Sequence, residues 1–256
     1  MVTGPTAGIG RAFAERLAAD GHDLLLVSRD ARRLAAVAAD LSGRHGVRAD
    51  VRAADLSSDA AVEALAADLA ARARVDVLVN NAGFGTKGPL DRTDAAAQSR
   101  MVHVHCVAPL RLAQAVLPGM VARRAGSVVN VASVAAFVTS AGNATYSATK
   151  AFLQLLSEGM AAEVAGAGVR VQALCPGFTR TEFHDRAGLP TGGIPRLAWL
   201  TPERVVDASL AALARGGPVT VVPGGRYRAA VALLRLAPLR ALSRGVRLGR
   251  LRGRGA

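Results

Sequence analysis

The sequence contains little cysteine and no long apolar run. Cys106 and Cys175 are the only cysteines among 256 residues, too few for the disulfide framework of a small secreted protein, so we expect both to be reduced thiols packed in the core of a cytoplasmic protein. No uninterrupted apolar stretch reaches the ~18 residues of a membrane-spanning helix. No charged segment leading into an apolar run begins the chain, which argues against a secretory leader.

Acidic residues are absent from the last part of the chain. The formal net charge is +13, but residues 226–256 carry nine arginines and no acid, which leaves +4 for residues 1–225. We therefore predict one domain over residues 1–225 and a basic amphipathic extension over residues 226–256. Tyr227 is the only aromatic residue among these arginines, so no nucleic-acid partner is predicted. An anionic membrane surface, an acidic acyl-carrier substrate, a protein partner and a frayed terminus stay open as alternatives.

Valine- and leucine-rich runs alternate with alanine-rich segments of helical periodicity. The predicted strands are Asp23–Ser28, Val47–Ala54, Val75–Val79, Ser127–Ala132, Val169–Cys175 and Val219–Val222. The predicted helices are Ile9–Asp20, Arg32–Leu41, Ala60–Ala71, Asp94–Val121, Ala144–Val164 and Pro202–Ala214. Continuous apolar strands separated by helices indicate an α/β fold, in which a single doubly wound domain has a parallel sheet covered on both faces.

A glycine-rich turn opens the chain, with Gly4, Gly8 and Gly10 in a G-x-x-x-G-x-G pattern. Glycines at a strand-to-helix turn let a pyrophosphate approach the amides of the helix N-terminus. A purely structural turn is the alternative. Only Met1 and Val2 precede Thr3, so the first strand is truncated. We hypothesise that the native chain starts further upstream, because a half-absent central strand leaves backbone groups unpaired.

Arg29 follows the predicted second strand, where dinucleotide folds place the group that reads the adenosine ribose. An acid at this point accepts a hydrogen bond from a free 2′-hydroxyl, whereas a guanidinium suits a 2′-phosphate. Ser28 stands where the acid would be expected. These residues favour NADP over NAD as the cofactor.

Tyr146 and Lys150 lie one helical turn apart, so their side chains share a face. A free tyrosine has a pKa near ~10, and a neighbouring ammonium favours its ionised form. The pair is therefore predicted to perform acid/base chemistry beside a carbonyl. An exposed pair without function is the alternative.

Five features occur in a characteristic order, namely "TGPTAGIG", "NNAG", Ser133, "YSATK" and "CPGFTRT". As a set they resemble the short-chain dehydrogenase/reductase family over about residues 1–225, with some similarity to bacterial hydroxysteroid and long-chain ketoacyl reductases. The resemblance implies a seven-stranded Rossmann-type sheet, a nicotinamide cofactor and the interconversion of a carbonyl and a secondary alcohol. It also implies a homodimer or homotetramer joined through the two long helices that follow the fourth and fifth strands.

The resemblance also assigns cofactor contacts and no metal site. Asp55 would lie near the adenine, Asn81 would brace the sheet beside the cofactor, and Thr181 would contact the nicotinamide carboxamide. The full predicted set is Gly4, Thr6, Gly8, Ile9, Gly10, Ser28, Arg29, Asp55, Leu56, Asn81, Ala82, Gly83, Tyr146, Lys150, Pro176, Gly177, Thr179 and Thr181.

Catalysis is assigned by the same resemblance to Ser133, Tyr146 and Lys150. Ser133 would hydrogen-bond the substrate oxygen, Tyr146 would transfer the proton, and Lys150 would also bind the nicotinamide ribose. His105 stands where relatives have an asparagine whose backbone carbonyl holds a water of the proton relay. We therefore include His105 among the catalytic candidates and expect a slowed or rewired relay, although a satisfied core histidine is the common alternative.

Residues 182–200 depart from regular patterning and combine glycines and prolines with apolar side chains such as Leu197 and Trp199. The family places a substrate lid here, and its apolar content predicts a hydrophobic substrate. A segment that only packs on the core is the alternative. The function predicted from the sequence is an NADP(H)-dependent oxidoreductase. The alternative function is a non-catalytic regulator of the same fold that binds a nicotinamide nucleotide.

Overall fold

A computed structural model describes residues 1–72, 74–86, 88–183, 188 and 193–236. Its centre is one sheet of seven parallel strands in the order β3-β2-β1-β4-β5-β6-β7. The strands are β1 (Val2–Thr3), β2 (Leu24–Ser28), β3 (Ala49–Ala53), β4 (Val77–Asn80), β5 (Gly126–Val131), β6 (Val169–Leu174) and β7 (Thr220–Val221). The predicted seven-stranded, doubly wound fold is confirmed.

Helices connect the strands and cover both faces of the sheet. They are α1 (Gly8–Ala19), α2 (Ala31–His45), α3 (Asp59–Ala71), α4 (Ala95–Val102), α5 (Ala108–Ala122), α6 (Ala144–Glu163), α7 (Pro202–Ala214) and α8 (Gly225–Leu236). Short 3-10 turns occur at Leu90–Arg92, Val134–Phe137 and Arg196–Ala198. The predicted helix Pro202–Ala214 matches α7 in both bounds because Thr201 caps it with its side chain and Pro202 occupies its first turn.

Alternate residues of the central strands contribute to two large cores, one on each face of the sheet. Leu26 and Val129 point to the side of α1, α2 and α7, whereas Val27 and Val128 point to the side of α3, α5 and α6. This alternation follows from the period of two in a strand. Because both faces are covered by helices, the strands read as continuous apolar runs in the sequence.

The first strand is short, but it is the central strand of the sheet. Val2 pairs with Leu26 of β2 and with Val79 of β4, and Thr3 pairs with Val27. The amino group of Met1 continues the ladder by donating to the carbonyl oxygen of Val77 at 2.7 Å. Two residues are therefore enough to connect both halves of the sheet and to place the glycine turn at its carboxyl edge.

The helix predicted over Asp94–Val121 is continuous but not regular. Asp94 caps α4 by accepting from the amides of Ala96 and Ala97, and a π-helical turn over His103–Val107 joins α4 to α5. A π turn holds one extra residue and rotates the side chains that follow. The sequence pattern does not show this turn, because the apolar spacing on either side of it is that of an ordinary helix.

The stretch Ala95–Ala122 is long and apolar enough to cross a membrane, judged by length and composition alone. Met101 of this stretch is nevertheless buried, and Leu112, Val116 and Met120 are buried in the core between the sheet and its covering helices. This is the packing of a core helix.

The helix α8 begins where the predicted basic extension begins, yet it packs on the domain. Val231 is buried beside Leu153 of α6 and Val222. The Tyr227 hydroxyl donates to the Ala198 carbonyl at 2.7 Å and accepts from the Phe178 amide at 3.0 Å. The start of the extension is thus fixed to the rest of the fold, while residues 237–256 lie outside the described residues.

His103 fastens the π turn to the start of α3. Its Nδ1 lies 2.9 Å from the Leu56 carbonyl oxygen and its Nε2 lies 2.7 Å from the Asp59 carboxylate. Both partners are acceptors, so both ring nitrogens must carry a proton to satisfy them. Burial alone lowers the pKa of His103, but the hydrogen bonds to Asp59 and Leu56 outweigh it and raise the pKa above its ordinary value.

We predict that His103→Gln lowers the free energy of unfolding more at about pH 6 than at about pH 9. A raised folded-state pKa gives a stabilisation that is complete below the unfolded pKa of ~6.5 and is lost as the pH rises through the folded value. Urea unfolding at both pH values measures this difference, with His22→Gln at an exposed histidine as the control. An equal loss at the two pH values would show that His103 is uncharged.

Candidate active site

All seven strands end at the same edge of the sheet, and the strand order reverses between β1 and β4. Chain order runs outward from β1 through β2 and β3 on one side, and from β4 through β7 on the other. Open α/β sheets bind ligands in the crevice at such a switch point. The loops after β1, β4, β5 and β6 carry most of the predicted site residues to this one edge.

The glycine turn after β1 has no room for side chains. A Cβ atom on Gly10 would lie 2.2 Å from the Gly4 carbonyl oxygen, and one on Gly8 would lie 2.7 Å from Cγ2 of Thr181. Gly4 and Gly8 also have φ values of 67° and 56°, in the left-handed region. The packing of the turn itself therefore requires glycine at these positions, and the turn leads into the N-terminus of α1, whose amides are the groups that a pyrophosphate would bind.

Asn81 holds the glycine turn against the loop after β4. Its Nδ2 donates to the carbonyl oxygens of Thr3 at 2.9 Å and Gly4 at 3.2 Å. The amides of Asn81 and Ala82 both donate to the hydroxyl of Thr3 at 2.9 Å. The bracing predicted for Asn81 is therefore present in the geometry. Thr3 is its buried partner, which sequence reasoning missed because a threonine at a strand end carries no distinctive signal.

The predicted adenosine end of the crevice is bounded by Arg29 and Asp55. Arg29 is exposed. The Asp55 carboxylate accepts from the amide and hydroxyl of Ser57 at 3.0 and 2.9 Å. The Ser57 amide holds the pKa of Asp55 below its usual value, and the charge of Arg29 acts in the same direction. Leu56 is buried, and Ser28 is partly exposed at the end of β2.

Lys150 is buried on α6 and reaches β5. Its Nζ donates to the carbonyl oxygen of Val131 at 2.8 Å and lies 5.6 Å from the centre of the Tyr146 ring. Burial lowers the pKa of Lys150 to about 8. The ammonium thus keeps its charge at neutral pH, although burial makes that charge costly.

Ser133 and Tyr146 lie near Lys150, Ser133 shortly after β5 and Tyr146 one helical turn before the lysine on α6. The Ser133 Oγ accepts from the Ala135 amide at 3.1 Å, which leaves the hydroxyl proton available for another acceptor. The Ser133 hydroxyl also lowers the pKa of Tyr146, which places the two hydroxyl groups on the same side of the crevice. The structure therefore brings together the three residues that the sequence predicted to be catalytic.

Burial has the largest effect on the pKa of Tyr146. The spacing predicts that the Lys150 ammonium favours the phenolate, whereas burial raises the pKa of this phenol to about 12 and outweighs the opposing effect of Ser133. Tyr146 is half-buried, and its ring packs against Phe183 and His105, with 5.7 Å and 5.9 Å between ring centres. Tyr146 is a neutral proton donor in this structure.

His105 lies in the π turn with both ring nitrogens engaged. Its Nε2 is 3.1 Å from the Phe84 amide and its Nδ1 is 2.9 Å from the Thr149 hydroxyl. Since the amide can only donate, Nε2 is the acceptor and Nδ1 carries the proton. Burial and then the charge of Lys150 lower the pKa of His105 well below its ordinary value. His105 is therefore a neutral core histidine with both nitrogens hydrogen-bonded, which is the alternative to a catalytic role. Its two hydrogen bonds hold the loop after β4 against α6.

The remaining predicted cofactor contacts lie around the same edge. Thr181 packs on Gly8, and Gly83 faces His105 so closely that a Cβ atom would lie 2.7 Å from Nε2. Thr179 is buried and donates to the Gly177 carbonyl at 3.0 Å, so its hydroxyl is committed to the backbone. The positions Thr6, Ile9, Pro176 and Gly177 lie in the loops after β1 and β6 and in the first turn of α1.

Only the two ends of the predicted lid are described. Phe183 contacts the Tyr146 ring, and the Trp199 ring lies 5.8 Å from that of Phe178. Leu200 bridges to Thr179 and is buried. Residues 184–187 and 189–192 of the lid lie outside the described residues.

The matching family model is that of the short chain dehydrogenases, over residues 1–189. This chain belongs to the short-chain dehydrogenase/reductase family, as the sequence motifs predicted. Members of this family are dehydrogenases and reductases that act on CH–OH or carbonyl groups with NAD(P).

Known proteins similar to this chain differ in what their names state. A very-long-chain 3-oxoacyl-CoA reductase of Pyrenophora tritici-repentis is 34% identical over 85% of this chain, which spans 63% of that protein's length. An inactive hydroxysteroid dehydrogenase-like protein of Homo sapiens is 32% identical over 81% of the chain, which spans 62% of that protein's length. A short-chain dehydrogenase of Sphingobium yanoikuyae solved with NADPH has a TM-score of 0.84 and 35% identity, covering 100% of this chain and 96% of that one.

We predict that His105→Asn destabilises the fold by about 1–3 kcal/mol, because the shorter side chain cannot keep both hydrogen bonds and leaves buried groups unpaired. The pH dependence of turnover between about pH 6 and 8 should keep its shape, since a histidine with so low a pKa does not titrate there. Urea unfolding and initial rates measure the two effects. Loss of an inflection near pH 6.5 in the variant would show instead that His105 titrates during catalysis.

Proposed function

We propose that this chain is an NADP(H)-dependent oxidoreductase that interconverts a carbonyl and a secondary alcohol, with Tyr146 as the general acid and base. The observation that carries the proposal is the convergence of Ser133, Tyr146 and Lys150 on the switch-point crevice, beside a glycine turn that excludes side chains. A structural role alone does not require a buried cation next to a tyrosine, because a buried charge is costly unless it is used.

Bound NADPH would supply the hydride to the carbonyl carbon. As the carbonyl π bond breaks, the oxygen gains charge, and the Ser133 hydroxyl and the Tyr146 hydroxyl are the donors that stabilise it. Tyr146 then gives its proton to this oxygen to form the alcohol. Lys150 holds its charge beside the resulting phenolate and favours that ionised form.

The raised pKa of Tyr146 suits the reduction of a carbonyl, because the free protein then holds the proton that this step requires. With a pKa of about 12, Tyr146 is protonated at neutral pH, as a donor must be. Oxidation of an alcohol would need the phenolate at the start.

The substrate is proposed to be a carbonyl compound with an apolar body. Phe183 packs on the Tyr146 ring, Phe178 pairs with Trp199 near the end of the predicted lid, and Leu197 exposes 74% of its surface. The name of the Pyrenophora tritici-repentis relative states a long apolar substrate, which agrees with these apolar side chains. A polar cleft lies on the other side of Tyr146 and is lined in part by Thr86, Gln98, Asn143 and Thr145, so we propose that a neutral polar group adjoins the carbonyl.

The proposed NADP preference is supported by Arg29 and by the NADPH bound to the similar Sphingobium yanoikuyae enzyme. An oligomer through α5 and α6 is supported by apolar side chains exposed on these helices, such as Val121, Phe152 and Leu155. A cytoplasmic location and membrane contact of the tail stay predictions.

A non-catalytic nucleotide-binding regulator is the second candidate function. The observation that favours it is the similarity to a human protein whose name describes it as inactive. The catalytic hypothesis is preferred because Ser133, Tyr146 and Lys150 are all present and are placed together.

We predict that Tyr146→Phe lowers kcat by about 10²–10⁴-fold, because general acid catalysis typically contributes that much, while the affinity for NADPH stays within about twofold. A panel of ketones and 3-oxoacyl thioesters with NADPH and with NADH measures the rate, and calorimetry measures the affinity. Tight NADPH binding by the native chain without turnover of any carbonyl in the panel would favour the regulator.

A further inference from the structure

Arg33 joins the glycine turn to the base of the predicted lid. Its Nη2 donates to the carbonyl oxygen of Thr6 at 3.4 Å and to the carboxylate of Glu182 at 3.3 Å. Asp30 caps α2 by accepting from the Arg33 amide at 2.9 Å, which fixes the backbone from which this guanidinium extends. The side chains of Arg33 and Glu182 expose 44% and 50% of their surface.

The chain after β6 therefore contacts the nucleotide side of the crevice at two neighbouring points. Thr181 packs on Gly8, where a Cβ atom would come within 2.7 Å of Thr181 Cγ2. The next residue, Glu182, pairs with Arg33. The first contact is steric and does not depend on charge, whereas the second depends on a guanidinium that other anions can also bind.

Arg33 lies on the same side of the crevice as Arg29. Arg29 is two residues before the start of α2, and Arg33 is in its first turn. Arg29 directly follows β2 at the carboxyl edge of the sheet, where dinucleotide folds bind the adenosine ribose. Arg33 touches Thr6 of the glycine turn. A ribose between the adenine and the pyrophosphate would then have a guanidinium on each side.

The two possible anions differ in how well they match Arg33. The carboxylate of Glu182 makes one hydrogen bond of 3.3 Å with it in an exposed setting, and such pairs contribute little to stability. A phosphate carries more charge and offers three acceptor oxygens, which suit the fork of a guanidinium. The phosphate is therefore the stronger partner of the two.

We propose that Arg33 is a second specificity-determining residue, which exchanges the Glu182 carboxylate for the 2′-phosphate of NADP(H). This inference rests on the proposed use of NADP(H) and adds a competing anion within the chain. Removing that competitor strengthens binding of a 2′-phosphorylated nucleotide, and removing Arg33 weakens it. Neither change affects a nucleotide without the 2′-phosphate.

Calorimetric titration of the full chain with adenosine 2′,5′-bisphosphate and with 5′-AMP tests the exchange without the need for turnover. We expect Arg33→Met to weaken the bisphosphate about tenfold or more, as for loss of a charge-assisted hydrogen bond, and to leave 5′-AMP unchanged. Glu182→Gln should tighten the bisphosphate severalfold and leave 5′-AMP unchanged. In the double variant the gain from Glu182→Gln should disappear. Arg32→Met, at an exposed neighbouring arginine, is the matched control.

Several outcomes would overturn the inference. The first is that Arg33→Met weakens the affinity for both nucleotides equally. The second is that Glu182→Gln leaves the affinity for the bisphosphate unchanged. The third is that Arg32→Met weakens the affinity for the bisphosphate as much as Arg33→Met does. If any of these occurs while the native chain still prefers the bisphosphate over 5′-AMP, the proposed NADP(H) function stands and only the role of Arg33 fails. Equal affinity of the native chain for the two nucleotides overturns the proposed NADP preference as well.

Discussion

The hydrogen bond from Lys150 to the Val131 carbonyl positions the residues that we propose to be catalytic. It ties the middle of α6 to the end of β5 at 2.8 Å, so that Tyr146, one turn earlier on α6, meets Ser133, which follows β5. The ammonium is buried, and burial lowers its pKa to about 8. A carbonyl oxygen is a neutral partner and does not fully compensate a buried charge. The packing of α6 against the sheet must therefore supply the stability that this charge costs.

A second constraint fixes the nucleotide side of the crevice. β1 has only two residues, yet it lies between β2 and β4 and delivers the glycine turn. The hydroxyl of Thr3 accepts hydrogen bonds from the amides of Asn81 and Ala82, and the Asn81 side chain donates one to the Thr3 carbonyl oxygen. These reciprocal bonds join the loops on either side of the switch point. His105 extends the connection to α6 through Phe84 and Thr149.

Much of the fold was predictable from the sequence, and the reasons are local. Strands covered on both faces appear in the sequence as apolar runs. The start of α7 is predicted by two adjacent residues, the capping Thr201 and Pro202 in the first turn. The grouping of Ser133, Tyr146 and Lys150 was predicted from family motifs. The π turn, the two bonds of His105 and the Arg33–Glu182 pair were not predictable, because each depends on residues brought together only by tertiary packing.

The pKa of Tyr146 depends most on burial, which the spacing of residues along a helix does not reveal. Two side chains one turn apart predicted an attraction between charge and phenolate, and that attraction exists in principle. Spacing contains no information on how much water surrounds the phenol, and burial is the larger effect here. The sequence therefore predicts which residues share a helix face, but not how strongly burial opposes ionisation of the phenol.

The most direct test of the account is a spectroscopic titration of Tyr146 in the nucleotide-free protein. The chain has two tyrosines, so the difference in phenolate absorbance between the native chain and Tyr146→Phe reports residue 146. The account predicts no phenolate signal from Tyr146 below a pH of ~10, since burial raises its pKa to about 12. A Tyr146 phenolate at neutral pH in the absence of nucleotide would contradict it.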